Sequence, residues 1–419
     1  MNGIRQFYLK MLQSDELNNR FGGPLFVAML VATSLFLAAT WIRSDIGLLE
    51  FGDSPAVAPH EDFAAFYRGG QMAAEGRAAE VYDYRRFVEG LSGDNQSLLF
   101  LNPPHALLFY ELLAKTPYPA ARGLVLGLSV LCLFLSVRLI RLQAGFWPYV
   151  FVAFSAGTLY SLQLLQLSPI TTFLLLFALL FSRQKPVLSG LALCVLTIKP
   201  QYGLLVPVYL LAMRDWRAFG VAACGTLVLV ALSIGVYGVS VWQAFFASMT
   251  GGVHSIQFQI SHNMMVTFGQ SMGKIGAGAD LKMIAQIVCI VVSGAVVWVV
   301  ARHWRREAAA PLSLLAMSVA APSFLFYDWL MYAMALLLML KLSPAWPLSL
   351  QALAGLLWIA PVVHDVLNVY DAGAAFYFSS LIPAIAVAVL AHAAATFSRQ
   401  ESACGRFRTP HERPGELPV

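Results

Sequence analysis

From Pro24 to Phe397 apolar stretches follow one another with only short polar breaks, apart from one long polar loop between Arg43 and Pro103. They run without alternation for about 15 to 22 residues, the length of a helix crossing a hydrocarbon core and unlike the alternating strands of about 10 residues in a membrane β-barrel. The segments are 24–42, 120–141, 146–163, 168–182, 186–199, 201–213, 218–238, 282–301, 311–326, 327–341, 346–363 and 376–397. This pattern predicts an all-α polytopic membrane protein, a bundle of about 12 transmembrane helices. Several segments are shorter than the ~20 residues of a perpendicular crossing, which implies helix breaks within the membrane, local thinning or misplaced boundaries. The run from Pro103 to Lys115, about 13 residues, is shorter still and reads as a re-entrant half-helix or a wrongly divided span.

Composition agrees with the pattern: 59% of residues are hydrophobic, 12% are charged, and mean hydropathy is +0.69. Charge placement then gives an orientation, because short cytoplasmic loops collect Lys and Arg. Arg5, Lys10 and Arg20 precede the first span, and Arg138/Arg141, Arg183/Lys185, Arg214/Arg217, Arg302/Arg305/Arg306 and Arg399/Arg406/Arg408 mark later turns. Both termini are therefore expected inside: a cytoplasmic segment 1–23, a transmembrane domain 24–397 and a disordered cytoplasmic tail 398–419. The first outer loop, 43–103, holds five basic against ten acidic side chains. With a second outer loop, 239–280, it is expected to face the periplasm or exterior of a multi-pass inner (plasma) membrane protein. The first apolar stretch lacks a small-residue cleavage pattern and reads as a retained helix. Cys132, Cys194, Cys224 and Cys289 lie in apolar segments and Cys404 in the tail, so no disulfide framework is implied.

Within the first loop, Phe63 to Glu75 and Val81 to Leu91 place apolar residues at helical spacing among charges, as do Val241 to Met249 in the second. Such segments are expected to lie on the bilayer surface and roof a cavity. Polar residues that interrupt apolar runs carry the candidate chemistry, because each is costly at membrane depth unless it is paired or faces water. Asp62 follows Pro59-His60-Glu61 at the loop's start; Gln166 precedes Ser168-Pro169; Lys199 precedes Pro200, which breaks the helix; Asp328 follows Tyr327; His262 and Asn263 lie in the second loop. By the loop charges, Asp62, Gln166, Lys199, His262 and Asp328 all project to the outer rim, which predicts one shared cavity. An ion pair between Lys199 and Asp328, or helix capping, is the structural alternative for any of them singly. Glu61-Asp62 lacks a second acidic cluster, so no metal site is assigned.

The residues also resemble a family. Asp62-Phe63-Ala64-Ala65-Phe66-Tyr67 with Gly76 and Tyr82, then Asn102-Pro103-Pro104, resembles the first luminal loop of glycosyltransferase family 87, polyprenol-phosphate-dependent GT-C enzymes. Gln166 stands where that family often shows Gly-Gln, with Leu165 in place of the glycine. Ile198-Lys199-Pro200-Gln201 is similar to its Lys-Pro motif and Arg214-Asp215-Trp216-Arg217-Ala218-Phe219 to the basic-Trp turn after it. Ser261-His262-Asn263 resembles its Asn-x-Ser segment, and Pro322 to Asp328 its Ser-Pro motif, so the likeness spans about residues 55 to 340. Tyr327-Asp328 departs from the histidine of mycobacterial mannosyltransferases of this family, and Met264-Met265 from a more polar stretch.

The resemblance implies a GT-C-like bundle that moves a sugar, mannose first, from a polyprenyl-phosphate donor to a lipid or glycan acceptor at the outer face with inversion. It implies Asp62 as catalytic base, with Lys199, His262, Asn263, Gln166, Arg68, Tyr327, Asp328 and His105 binding substrate, and no cofactor. Membrane lipids are expected partners and nucleic acid is not. A secondary transporter is the first alternative, although no internal repeat or matched pair of broken helices supports it. A lipid-linked glycan ligase is the second, although that class carries its large outer loop late in the chain.

Overall fold

The structure, a computed structural model, describes residues 28–35, 61–91, 93–142, 145–250, 265–342 and 348–388. Among the described residues 81% are helical and no strand forms. The first loop contributes α1 (Phe63–Ala74) and a 3-10 turn (Ala78–Tyr82), and the run from Pro103 to Lys115 forms α2 (Leu107–Ala114). There follow α3 (Tyr118–Ile140), α4 (Trp147–Ala153), α5 (Ala156–Gln163), α6 (Ser168–Phe181), α7 (Pro186–Leu196), α8 (Pro200–Gly203) and α9 (Val206–Ala212). The rest comprises α10 (Trp216–Tyr237), α11 (Ser240–Thr250), α12 (Ala279–His303), α13 (Arg306–Ala320), α14 (Leu330–Leu342) and α15 (Leu348–Tyr370).

Helix starts follow the sequence closely. A proline stands in the first turn of α3, α4, α6, α7, α8 and α9, where its missing N–H costs nothing and its fixed φ favours the helix. Two expected spans are broken: 146–163 divides at Ser155, whose hydroxyl caps α5 by accepting from the Thr158 amide, and 201–213 divides between α8 and α9. Among the described residues, the helices long and apolar enough to cross a membrane are α3, α10 and α12. Leu227, Val228 and Leu232 on α10, and Ile284, Ile287, Val291 and Val292 on α12, face outward as lipid-facing positions do. This is a membrane protein; against the twelve spans expected from the sequence pattern, the described residues show three full-length spans and several shorter apolar helices.

Two ends of the bundle are distinguished by their chemistry. At one, the Arg306 guanidinium donates to Asp215 Oδ2 (2.6 Å), Ser182 Oγ (2.5 Å) and the Leu179 carbonyl (3.1 Å). That contact gathers the basic turns at 183–185, 214–217 and 302–306 at one end, as their charges predict. The helix breaks at 164–167, 197–199 and 321–329 therefore fall at the other end.

There α1, α2 and α11 form a cap with its own aromatic core of Phe63, Phe66, Tyr82, Phe87, Phe100, Tyr110 and Phe245. A Cβ on Gly70 would sit 2.1 Å from the Tyr110 carbonyl oxygen, so glycine is what lets α1 lie directly on α2. Ten of the twelve α1 residues are buried. The helix is thus enclosed by protein rather than laid on a bilayer surface, since α2 and the 3-10 turn cover the face that spacing alone assigned to lipid or water.

Candidate active site

The site assembles where four breaks meet. Pro200 has no N–H, so the α7–α8 junction cannot continue as a helix. The Ile198 carbonyl accepts instead from Asn102 Nδ2 at 2.8 Å, and the Asn102 carbonyl accepts from the Tyr82 hydroxyl at 2.8 Å. Asn102-Pro103-Pro104 and the Lys-Pro break, far apart in sequence, are thus locked together, and Lys199 is turned inward with 7% exposure.

Lys199 Nζ donates to Gln166 Oε1 at 2.8 Å and lies 3.8 Å from Asp328 Oδ1. It sits 5.1 Å from the centroid of Tyr327 and 5.5 Å from that of Tyr202, within cation–π range of both. Asp328 also accepts from the Ser168 hydroxyl (2.5 Å) and the Leu325 amide (3.0 Å), so this carboxylate is multiply satisfied at 1% exposure. Ser161 Oγ donates to the Tyr327 carbonyl at 2.9 Å, tying α5 to the turn that presents Tyr327 and Asp328. A Cβ on Gly157 would lie 2.1 Å from the Leu330 amide nitrogen, so that close packing needs glycine.

Gln166 is the hub. Its Nε2 donates to Asp62 Oδ2, its Oε1 accepts from Lys199 and the Leu167 amide, and its own amide donates to the Ser161 carbonyl at 2.8 Å. Asp62 is half-buried, at the N-terminus of α1, and its backbone amide donates to the Leu164 carbonyl at 2.9 Å. One amide group therefore links the most accessible carboxylate of the cluster to its one lysine. Leu165, between these two anchors, has φ +46°, a left-handed conformation that favours glycine.

Of the nine residues singled out by sequence, Asp62, Gln166, Lys199, Tyr327 and Asp328 come together. His105 lies one step away, with Nε2 3.1 Å from the Thr197 hydroxyl and its ring stacked at 6.0 Å on Trp242. Burial lowers the His105 pKa from its ordinary value, and its Nδ1 has no hydrogen-bond partner. Arg68 points elsewhere: its guanidinium packs against Gly90, and its charged neighbours are Glu75, Arg77 and Glu89. Desolvation lowers its pKa. His262 and Asn263 lie outside the described residues.

Sequence reasoning missed a second charged group. Glu61 Oε1 accepts from the Tyr118 hydroxyl at 2.5 Å, and Arg122 Nε lies 3.1 and 2.9 Å from the two carboxylate oxygens. Burial raises the Glu61 pKa, while Tyr118 and Arg122 pull the other way and favour the carboxylate. The signal was an arginine five residues into the apolar run that begins at Tyr118, an ionisable residue at membrane depth that requires a partner.

Fold and site together define an integral membrane protein with a buried polar cluster, carboxylate and cation side by side, at one end of a helical bundle. Residues 100–310, just over half of the 419, match glycosyltransferase family 87, and the chain belongs to that family. It is a membrane glycosyltransferase. Gln166, Lys199 and His105 fall within the matched residues; Asp62 and Asp328 flank them. No curated protein and no solved structure matches the chain. Among the described residues no group of three or more His, Cys, Asp or Glu is placed to hold a metal ion.

Proposed function

We propose that this glycosyltransferase moves mannose from a polyprenyl-phosphate donor to a lipid or glycan acceptor at the outer face of the plasma membrane, with inversion at the anomeric carbon. The observation that carries this reading is the Asp62–Gln166–Lys199 chain, which sets a half-buried carboxylate and a buried ammonium on either side of one amide.

A lipid monophosphate sugar asks for that pairing. The acceptor oxygen attacks the anomeric carbon as the bond from that carbon to the phosphate oxygen breaks; the hydroxyl proton passes to Asp62, and the electron pair leaves with the lipid phosphate. Attack and departure on opposite faces of the sugar invert its configuration. Lys199, with three N–H donors of which one goes to Gln166, and with Asp328 as ion-pair partner at 3.8 Å, supports the departing phosphate in a water-poor setting where a fixed cation acts strongly. Tyr327, Asp328 and His105 shape the surroundings, while His262 and Asn263 of the second loop complete substrate contact; Arg68, turned towards Gly90, is left out of it. The exposed apolar side chains of α10 and α12 suit a polyprenyl tail. The outer-face assignment rests on the basic turns, which gather at the end of the bundle opposite the cluster.

The full-length protein in proteoliposomes, given radiolabelled polyprenyl-phosphate mannose and a lipid extract, should transfer label to a glycolipid, and should not do so from a nucleotide sugar. Transfer from the nucleotide sugar alone would remove the lipid donor from this reading.

A further inference from the structure

Two buried charges in this molecule take no part in the transfer step. Glu61 and Arg122 are each 1% exposed, and their ion pair involves the residue next to the base in sequence. Glu61 is pinned at three places: its side chain by Tyr118 and Arg122 of α3, its amide by Asn95 Oδ1 at 3.3 Å, and its carbonyl by the Ala64 amide at 3.1 Å. Asp62, the next residue, is held from the other direction by the Leu164 carbonyl and Gln166. The base thus sits between two anchors, one in the long span α3 and one at the α5–α6 break.

We propose that the Glu61–Arg122 pair, completed by Tyr118, is a positioning device for Asp62: it fixes the backbone from which the base projects without touching substrate. This rests on the reading of Asp62 as the base. An ionic anchor suits the task because a buried carboxylate and guanidinium have no alternative partner to slide towards; displacing either leaves an uncompensated charge. An apolar contact at the same place would tolerate drift, and drift of about 1 Å at a catalytic group costs about 10²-fold in rate. Tyr118 stiffens the arrangement further, since its ring also packs edge-on to Tyr67 at 4.9 Å and against Phe63 at 5.4 Å, both in the first turns of α1.

The test uses the full-length protein in proteoliposomes with polyprenyl-phosphate mannose as donor. The Glu61→Gln/Arg122→Met double variant removes both charges at once while keeping volume, so neither is left buried alone. It should fold and reconstitute as wild type does, keep its donor KM within about twofold, and lose about 10²-fold in kcat. A folded double variant with kcat within about threefold of wild type, or a loss falling mainly on donor KM, would overturn the proposal. Should the double variant not fold, Arg122→Lys and Tyr118→Phe leave Glu61 a partner; each should lose about tenfold in kcat with KM unchanged, and unchanged kcat in both would overturn it. Asp62→Asn in the same assay separates the two readings. If it is active, the base assignment falls and the positioning role with it; if it is inactive while the anchor variants turn over normally, only the positioning role falls.

Discussion

The Asp62 amide donates to the Leu164 carbonyl, so the start of the first-loop helix is stitched to the end of α5 by one backbone bond at the edge of the Asp62–Gln166–Lys199 cluster. Leu165, the next residue, adopts φ +46° in order to turn the chain from that carbonyl to Gln166. A left-handed leucine is strained by about 1–2 kcal/mol, yet its side chain is 1% exposed, and truncating a buried leucine costs about 2–5 kcal/mol. Burial outweighs strain. Leu165→Gly should therefore lower stability, by about 1–3 kcal/mol in thermal unfolding, while the folded fraction keeps wild-type kcat because the turn is retained.

Lys199 is both a buried cation and the proposed phosphate contact, and the two roles separate by mutation. Lys199→Met leaves Asp328 buried beside a neutral side chain and should cost about 3–5 kcal/mol of stability as well as one to three decades in turnover, on the order of 10- to 10³-fold. Adding Asp328→Asn should restore most of the stability and none of the turnover. Recovery of turnover in the double variant would show that Lys199 serves the fold alone.

Burial gives the fold a pH dependence through His105. Its pKa is lowered, so as pH falls the unfolded chain takes up a proton near the ordinary 6.5 while the folded chain still resists it. Stability contributed by this residue is present above about pH 6.5 and is lost as the pH falls below it, towards the depressed folded value. Melting temperature in detergent should fall between about pH 7.5 and 5.5, and His105→Gln should flatten that slope. An unchanged slope in the variant would assign the pH dependence to other groups.

Much of the architecture was legible in the chain. Continuous apolar runs gave the helices, prolines marked their starts, and basic turns such as Arg183/Lys185 and Arg214/Arg217 predicted the shared end that Arg306, Asp215 and Ser182 form. Of the five polar interruptions expected to share one cavity, Asp62, Gln166, Lys199 and Asp328 lie together, as an ionisable group at membrane depth needs company, and His262 lies outside the described residues. Partner choice was not legible. That Gln166 bridges Asp62 and Lys199 could not be read from the chain, and α1 read as interfacial and is enclosed by the cap. Both depend on which helices meet at the breaks, which periodicity along one segment does not encode.

Sidedness has its own check. Among the described residues, Glu75 in the first loop and Gln184 between α6 and α7 are exposed. Single cysteines at these positions, in a background lacking the native cysteines, should behave oppositely towards an impermeant thiol reagent added outside intact cells: Glu75→Cys labelled, Gln184→Cys not. Labelling of Gln184→Cys alone would turn the cluster to the cytoplasm and remove the outer-face assignment.

The central claim is that Asp62 takes the acceptor proton, and the turnover of Asp62→Asn addresses it most directly. In reconstituted full-length protein with polyprenyl-phosphate mannose, donor binding should stay near wild type while kcat falls by about 10² or more, the size of a general-base contribution. Turnover within a few-fold of wild type would contradict the account and take Asp62 out of the mechanism.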